Sequence, residues 1–369
     1  MRQIWFMIIG LMLGCESSES SEKFKWPSKP YSVGTTTFYI ESVGRTLPVQ
    51  LWYPSRQAEV SVGIEQLEVG EHKEMIKSLI DMLDNDCPRI QTQIAINATS
   101  FLSPEPRPVI IFSHCHSCTR FSSFSTAELL AQQGYIVAAP DHVGDTLYDE
   151  LSGLPAELNS EVLQMRANDI SRVLDAVLSD HPDLPKDLSP NVDKIGIFGH
   201  SFGAVTTGFI LQTDDRFTGG VAIAAPIENP LIPGALVEAQ PHPILYLVAK
   251  EDNSITEFGN RLIRQNYEQH PVEAWKLEVQ DAGHWSFSDL CGLTASLMPG
   301  CGTAPRQTNN NEMVTYIDNQ RGREIAAETV LNFFDYHFNG DLTALQHLDN
   351  GLSDVLVESV HRNQINAMK

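Results

Sequence analysis

Residues 194–203 read KIGIFGHSFG, an apolar run that ends in Gly199-His200-Ser201-Phe202-Gly203. Behind it, AVTTGFILQ (204–212) has the composition of a buried helix. A strand, a sharp turn and a helix in that order place a serine at the point of greatest backbone bend, and small residues at 199 and 203 let strand and helix approach each other. G-x-S-x-G alone fits many glycine-flanked turns. The strand before it and the helix after it give this instance its weight.

The segments around it keep the same rhythm. RPVIIF (107–112), YIVAAP (135–140), GGVAIAAP (219–226) and HPILYLVA (242–249) are short apolar runs of the kind buried on both faces of a sheet. Helical stretches separate them, among them STAELLAQQG (125–134) and SEVLQMRANDISRVLDAVLSD (160–180). Ser160 is the expected N-cap of the second, with Val162, Met165, Val173 and Val177 on one face. Alternation of strand and helix predicts an α/β fold with a mostly parallel central sheet and helices on both faces. Before it, YSVGTTTFYI (31–40) and RTLPVQLWYP (45–54) alternate around ESVG and read as an antiparallel hairpin that Pro54 ends. Residues 55–103 are polar and partly helical, with Met75, Ile76, Leu79, Ile80 and Leu83 in a helical period, and read as an insertion in one domain spanning 31–340. Residues 341–369 read as a tail, and no repeat or second domain is visible.

A serine hydroxyl needs a base, and a base needs a carboxylate to orient it. DAGHWSFSD (281–289) offers His284 on a glycine-preceded loop after the strand-like AWKLEVQ (274–280). On such an elbow the chain order is serine, acid, histidine. Asp252, at the end of PILYLVAKED, lies 51 residues after Ser201 (252 − 201) and 32 before His284 (284 − 252). It is chosen over the adjacent Glu251, with Glu228 and Asp281 as weaker candidates. The loop after RPVIIF reads SHCHSCTR (113–120), and its place after the first central strand predicts an oxyanion turn, with His116 donating one backbone N–H and Phe202 the other. As a metal site the stretch lacks a second ligand pair of matching spacing. No metal or cofactor is required by this chemistry.

Forty-seven acidic against 25 basic residues leave a net charge of −22, which repels phosphate backbones and excludes nucleic acid as an expected partner. Met1-Arg2 followed by an apolar run to Gly14 reads as an export signal (1–14), too short to span a bilayer. The ending LMLGC resembles a bacterial lipobox, which makes Cys15 the expected lipidated residue and places the chain on a cell-envelope membrane. An ordinary signal peptide is the alternative. ESSESSEK suits a tether over 15–30. Export permits disulfides among Cys87, Cys115, Cys118, Cys291 and Cys301. Cys291 and Cys301 bracket nine residues and are expected to pair. Cys115 pairs with Cys118, or one of the two pairs with Cys87.

FSHCHSCTR, GHSFG and AGHWSFSD, with LWYP near the start, are similar to the bacterial α/β-hydrolases grouped with platelet-activating-factor acetylhydrolases and dienelactone hydrolases. The resemblance runs from about Val33 to Asn339. It implies the α/β-hydrolase fold and hydrolysis of carboxylic esters, short-chain, lipid-type or aryl, through an acyl-enzyme. In such relatives the oxyanion turn usually reads F-S-H-G-x-G, whereas Cys115 and Ser117 stand where glycines are common. The acetylhydrolases carry their acid soon after the strand that follows the nucleophile, where this chain has Ala224 and Ala225. Typical dienelactone hydrolases use cysteine where this chain has Ser201. RANDISRVLD resembles a family helix bearing an arginine and an aspartate, and Arg166 and Asp169 are read as a structural ion pair. Phe121, Phe124, Phe202, Trp285 and Phe287 would suit an acyl or aryl group, or pack in the core. An amidase or peptidase of the same fold and a non-catalytic binding protein are the rival readings.

Overall fold

The computed structural model describes residues 31–179, 181–351 and 357–363. The signal, the tether and Cys15 lie outside them. In chain order the strands are β1 (Ser32–Ser42), β2 (Arg45–Ser55), β3 (Val60–Gly63), β4 (Gln91–Ile96), β5 (Arg107–Ser113), β6 (Ile136–Pro140), β7 (Pro190–His200), β8 (Gly219–Ile223), β9 (Ile244–Ala249), β10 (Ala274–Val279), β11 (Thr303–Pro305), β12 (Met313–Thr315) and β13 (Val357–Asn363). The helices are α1 (Gly70–Asp81), α2 (Phe124–Gln132), α3 (Leu147–Leu151), α4 (Ser160–Leu178), α5 (Phe202–Thr213), α6 (Thr256–Gln269), α7 (Asn319–Asn339) and α8 (Leu342–Asn350). One sheet carries the order β13-β10-β9-β8-β7-β5-β6-β2-β1-β4-β3.

From β6 to β10 every pairing is parallel. Alternate residues of these strands serve opposite faces, as the two-residue pleat requires. Ile110, Phe112 and Phe198 pack with α2 and α7 residues on one side, while Val109, Ile111 and Ile197 pack with α4, α5 and α6 residues on the other. Burial on both faces is why these strands read as continuous apolar runs. The strand order reverses between β5 and β7: β6 lies on one side of β5 and β8, β9 and β10 lie beyond β7. The loops that leave β5 and β7 therefore flank the crevice at the switch point, where α/β sheets bind ligands.

Four local expectations are corrected. Pro54 does not end the hairpin; it pairs with Val33 inside β2, beyond the stretch Val49–Trp52 that pairs with β6, so its missing N–H leaves no ladder bond unmade. Asn159, rather than Ser160, caps α4, because its longer side chain accepts from the N–H groups of both Glu161 and Val162 at 3.0 Å. Residues from 341 onward, read as a tail, include α8, which packs against α7, and β13, which adds an antiparallel edge to β10. Finally, Cys291 and Cys301 are not joined. The disulfides link Cys87 to Cys301 and Cys115 to Cys118, and Cys291 is a buried free thiol that burial pushes up to about 12.

The reason lies in the insertion. Residues 85–89 lie along the loop that follows His284: Arg89 N–H donates to the Asp289 carbonyl at 2.8 Å, Asn85 Nδ2 to the Gly292 carbonyl at 3.2 Å, and Arg323 reaches the Cys87 carbonyl at 2.9 Å. That lacing carries Cys87 to Cys301 across 214 residues of sequence. A loop of that length is worth up to about 5 kcal/mol in the chain-entropy account, with 2–5 kcal/mol typical. Replacing Cys87 and Cys301 together by serine should lower the unfolding free energy by about 2–5 kcal/mol, read by urea denaturation. Peptide mapping of the non-reduced protein should recover the 87–301 link, with Cys291 alkylated only after unfolding. A 291–301 link would contradict the assignment.

Candidate active site

Two collisions shape the elbow. A Cβ at Gly203 would strike the Ser113 carbonyl at the end of β5, and one at Gly199 would strike the backbone of Gly203. With both glycines in place, β7 turns into α5 within a single residue, and Ser201 sits at φ +57°, ψ −120°. Such a backbone is costly for a residue with a Cβ and persists only where its surroundings hold it. Here the Ser201 N–H donates to the Ile223 carbonyl and the Ser201 carbonyl accepts from the Ala204 N–H, each at 2.8 Å.

Ser201, His284 and Asp252 are brought together. Ser201 Oγ lies 2.8 Å from His284 Nε2, and His284 Nδ1 lies 2.7 Å from Asp252 Oδ2. The other Asp252 oxygen accepts from the N–H groups of Ser254 and Ile255, both at 2.9 Å, so the carboxylate is fixed from both sides. Glu251 points elsewhere, toward Arg306 and the Gln307 N–H. Asp281 pairs with Arg306 at 3.2 Å, and Glu228 accepts from the Val237 N–H at 2.7 Å. Of the four acids considered, Asp252 is the one whose carboxylate contacts His284.

The loop bearing His284 is held by its own polar groups. Trp285 N–H donates to the Pro299 carbonyl at 2.8 Å, and Ser286 Oγ accepts from the Gly283 N–H and donates to the Gly300 carbonyl, each at 3.0 Å. His200, beside Ser201, packs behind the His284 loop. Its Nε2 contacts the His284 carbonyl at 2.8 Å, and its ring stands 5.2 Å from that of Trp285. Burial, with the neighbouring His284 imidazole, pushes His200 down to about 3, so at neutral pH it is an uncharged buttress whose Nε2–H donates.

The turn after β5 is a closed structure of its own. Its disulfide joins Cys115 to Cys118 around His116 and Ser117, and Ser117 takes φ +51° where relatives commonly have glycine. Asp145, just beyond β6, braces the turn: Oδ1 accepts from His116 Nδ1 at 2.6 Å and from the Ser117 N–H at 3.3 Å. Its Oδ2 accepts from fully buried Arg166 at 2.6 Å, and Arg166 also donates to the His114 carbonyl and to Ser113 Oγ. Burial alone would raise the Asp145 carboxyl, but Arg166 and the His116 hydrogen bond overcome it and hold it below the usual carboxylate range. His114 is buried beneath, with Nδ1 2.6 Å from the Cys115 carbonyl and Nε2 accepting from the His142 N–H. Phe202 is the first residue of α5, and its N–H belongs to the helical turn that has no intrahelical acceptors.

Arg166 and Asp169 are therefore ionic and structural, though not with each other. Arg166 pairs with Asp145, whereas Asp169 takes Arg45 at 2.6 Å, Ser42 at 2.6 Å and His142 at 3.1 Å. Beside Ser201 opens a cavity of 410 Å³ lined mainly by apolar side chains, including Phe202, Val205, Ile232, Ile255 and Phe258. Of the aromatics considered, Phe202 alone lines it; Phe121, Phe124, Trp285 and Phe287 are buried in the core. Ala225 from the early acid position and the adjacent Pro226 also line it, so that position shapes the cavity and supplies no carboxylate. Sequence reasoning missed Asp145 and the wall from Ile232 to Phe258. The signal for Asp145 was its place just past the carboxyl end of a central strand, PDHVGD.

The platelet-activating factor acetylhydrolase, isoform II, model matches residues 16–147, and the dienelactone hydrolase family model matches residues 96–288, more than half of the chain. A platelet-activating factor acetylhydrolase from Canis lupus familiaris is 27% identical over 319 residues, covering 73% of this chain and 68% of its own. The same enzyme from Bos taurus is 28% identical over 242 residues, covering 53% of each. A ferulic acid esterase from Streptomyces cinnamoneus shares the fold, with a TM-score of 0.65 at 22% identity over 85% of this chain and 92% of that one. With its mostly parallel sheet and serine elbow at the switch point, the chain has the α/β-hydrolase fold and belongs to the dienelactone hydrolase family.

Proposed function

We propose that this chain is an exported serine esterase in which Ser201 is the nucleophile, His284 the general acid and base, and Asp252 the orienting carboxylate. Family membership makes it a carboxylic ester hydrolase. The observation that carries the finer reading is the continuous chain of contacts from Ser201 Oγ through His284 to Asp252 Oδ2, at 2.8 and 2.7 Å, at the wall of an apolar cavity. His284 Nε2 takes the Ser201 proton as Oγ attacks the ester carbonyl, and Asp252 stabilises the imidazolium that forms. The tetrahedral oxyanion is received by the backbone N–H groups of His116 and Phe202. His284 then protonates the leaving alcohol, and water admitted by the same base releases the acid and restores Ser201.

The cavity's apolar walls favour a short acyl chain, a lipid-type ester or an aryl ester. The names of the relatives, a platelet-activating factor acetylhydrolase and a ferulic acid esterase, point toward the same range. Export, with a lipid on Cys15, rests on the N-terminal sequence, and the two disulfides favour an oxidising compartment.

Ser201→Ala should abolish hydrolysis of p-nitrophenyl esters and covalent labelling by a fluorophosphonate probe while circular dichroism is unchanged; full labelling of the variant would assign the nucleophile elsewhere. Asp252→Asn should lower turnover by about four orders of magnitude, as loss of the orienting carboxylate does in such triads. Glu251→Gln should leave turnover within a few-fold, and the reverse pattern would move the acid by one residue. The Cys115–Cys118 link closes the turn that presents the His116 N–H. Cys115→Ala with Cys118→Ala should therefore lower kcat by about 10- to 100-fold, somewhat less than outright loss of an oxyanion donor. KM should change little in the same variant, and an unaltered kcat would remove the disulfide from the catalytic account.

A further inference from the structure

His116 enters the proposed mechanism through its backbone, yet the residue also lines the cavity beside Ser201. The side chain is 28% exposed, unlike the fully buried Asp145 and Arg166 behind it. Asp145, held ionised by Arg166, can only accept hydrogen bonds, so the His116 nitrogen 2.6 Å from it must carry the hydrogen. In the neutral ring, with its one N–H fixed at Nδ1 by Asp145, Nε2 is a lone-pair acceptor. Among the described residues no hydrogen bond engages His116 Nε2. The other polar side chains in the wall besides Ser201 are Asn229 and Ser254, and Asn229 Oδ1 already accepts from the Leu231 N–H at 3.0 Å. A mainly apolar cavity thus has in its wall one histidine whose neutral tautomer is fixed by a buried carboxylate.

Resting on the esterase reading, we propose that His116 is a specificity residue whose Nε2 accepts a hydrogen bond from the substrate, so that the preferred esters carry a hydroxyl close to the scissile carbonyl. A hydroxyl satisfies Nε2 at this site, while a methylene in its place leaves the nitrogen facing an apolar group. Ether and carbonyl oxygens have no hydrogen to donate and gain nothing from it. The ring is partly exposed, which limits the discrimination to about tenfold, the size of one net hydrogen bond.

Two matched pairs test this in the full chain: p-nitrophenyl 3-hydroxybutyrate against p-nitrophenyl butyrate, and glycerol monobutyrate against propyl butyrate. Each kcat/KM is divided by the alkaline hydrolysis rate of that ester to remove intrinsic reactivity. The wild type should favour the hydroxylated member of at least one pair by about tenfold. Preference in the first pair places the hydroxyl on the acyl side, and preference in the second places it on the alcohol side. His116→Phe, which keeps a planar ring and the backbone N–H but has no acceptor, lowers the rates of all four esters and brings the ratio to about one. His116→Gln, whose amide oxygen can accept, should restore part of it. A role confined to the shape of the turn would lower both members of a pair equally and leave the ratio intact. Ratios near one in the wild type, or an unchanged ratio in His116→Phe, would overturn the proposal. Failure of the esterase reading itself would show differently, as hydrolysis of all four esters surviving Ser201→Ala.

Discussion

The contact between Gly203 and the carbonyl of Ser113 is the constraint on which the site depends. It sets how closely the first turn of α5 approaches the end of β5, and hence how close the elbow can lie to the Cys115–Cys118 turn. Any side chain at 203 would push α5 away from β5 and carry the Phe202 N–H with it. The same closeness forces the whole change of direction onto Ser201, whose positive φ is held by hydrogen bonds to β8 and to the start of α5. Because β5 and β7 are the strands between which the sheet order reverses, this contact lies at the mouth of the crevice.

Buried charge ties the less regular parts of the chain to that point. Arg166 and Asp145 hold the turn from α4 and from the loop after β6. Asp169, one turn further along α4, fastens the β1–β2 hairpin through Ser42 and Arg45. Arg120, at the end of the turn, binds Asp141 and is gripped by Glu68 of the insertion at 2.7 and 2.9 Å, with Tyr148 donating to the same glutamate. Removing one member of such a group strands a charge away from water, which costs about 3–5 kcal/mol. Through Cys87 the insertion also reaches the loop that carries His284. It is therefore fastened both to the turn and to the His284 loop, which is how a polar segment remote in sequence bears on the site.

What could be read from the sequence follows from the range of the forces involved. Strands β5, β7, β8 and β9 are continuous apolar runs because both faces are covered, and the elbow is recognisable because its glycines are demanded locally. The expected order of serine, acid and histidine led to Asp252, and the structure places that carboxylate, not Glu251, on His284. Long-range pairing was less legible. Cys291 and Cys301 are near in sequence, but the partner of Cys301 is chosen by how residues 85–89 lie across the loop, which no local pattern records. The partners of Arg166 and Asp169 were missed for the same reason: helical spacing places both on the buried side of α4, while their counter-ions come from β2 and from the loop after β6. The His200 contact with the His284 carbonyl joins the end of β7 to a loop 84 residues away and was equally hidden.

The central claim is that Ser201 carries the acyl group between two half-reactions. Acid quenching of the enzyme within its first turnovers on a p-nitrophenyl ester, followed by peptide mass mapping, tests this most directly. The account predicts the mass of the acyl group on the peptide containing Ser201, disappearing as turnover is allowed to finish. An acyl adduct confined to another residue, such as Ser286 or Cys291, or continued turnover with no adduct when deacylation is rate-limiting, would contradict it.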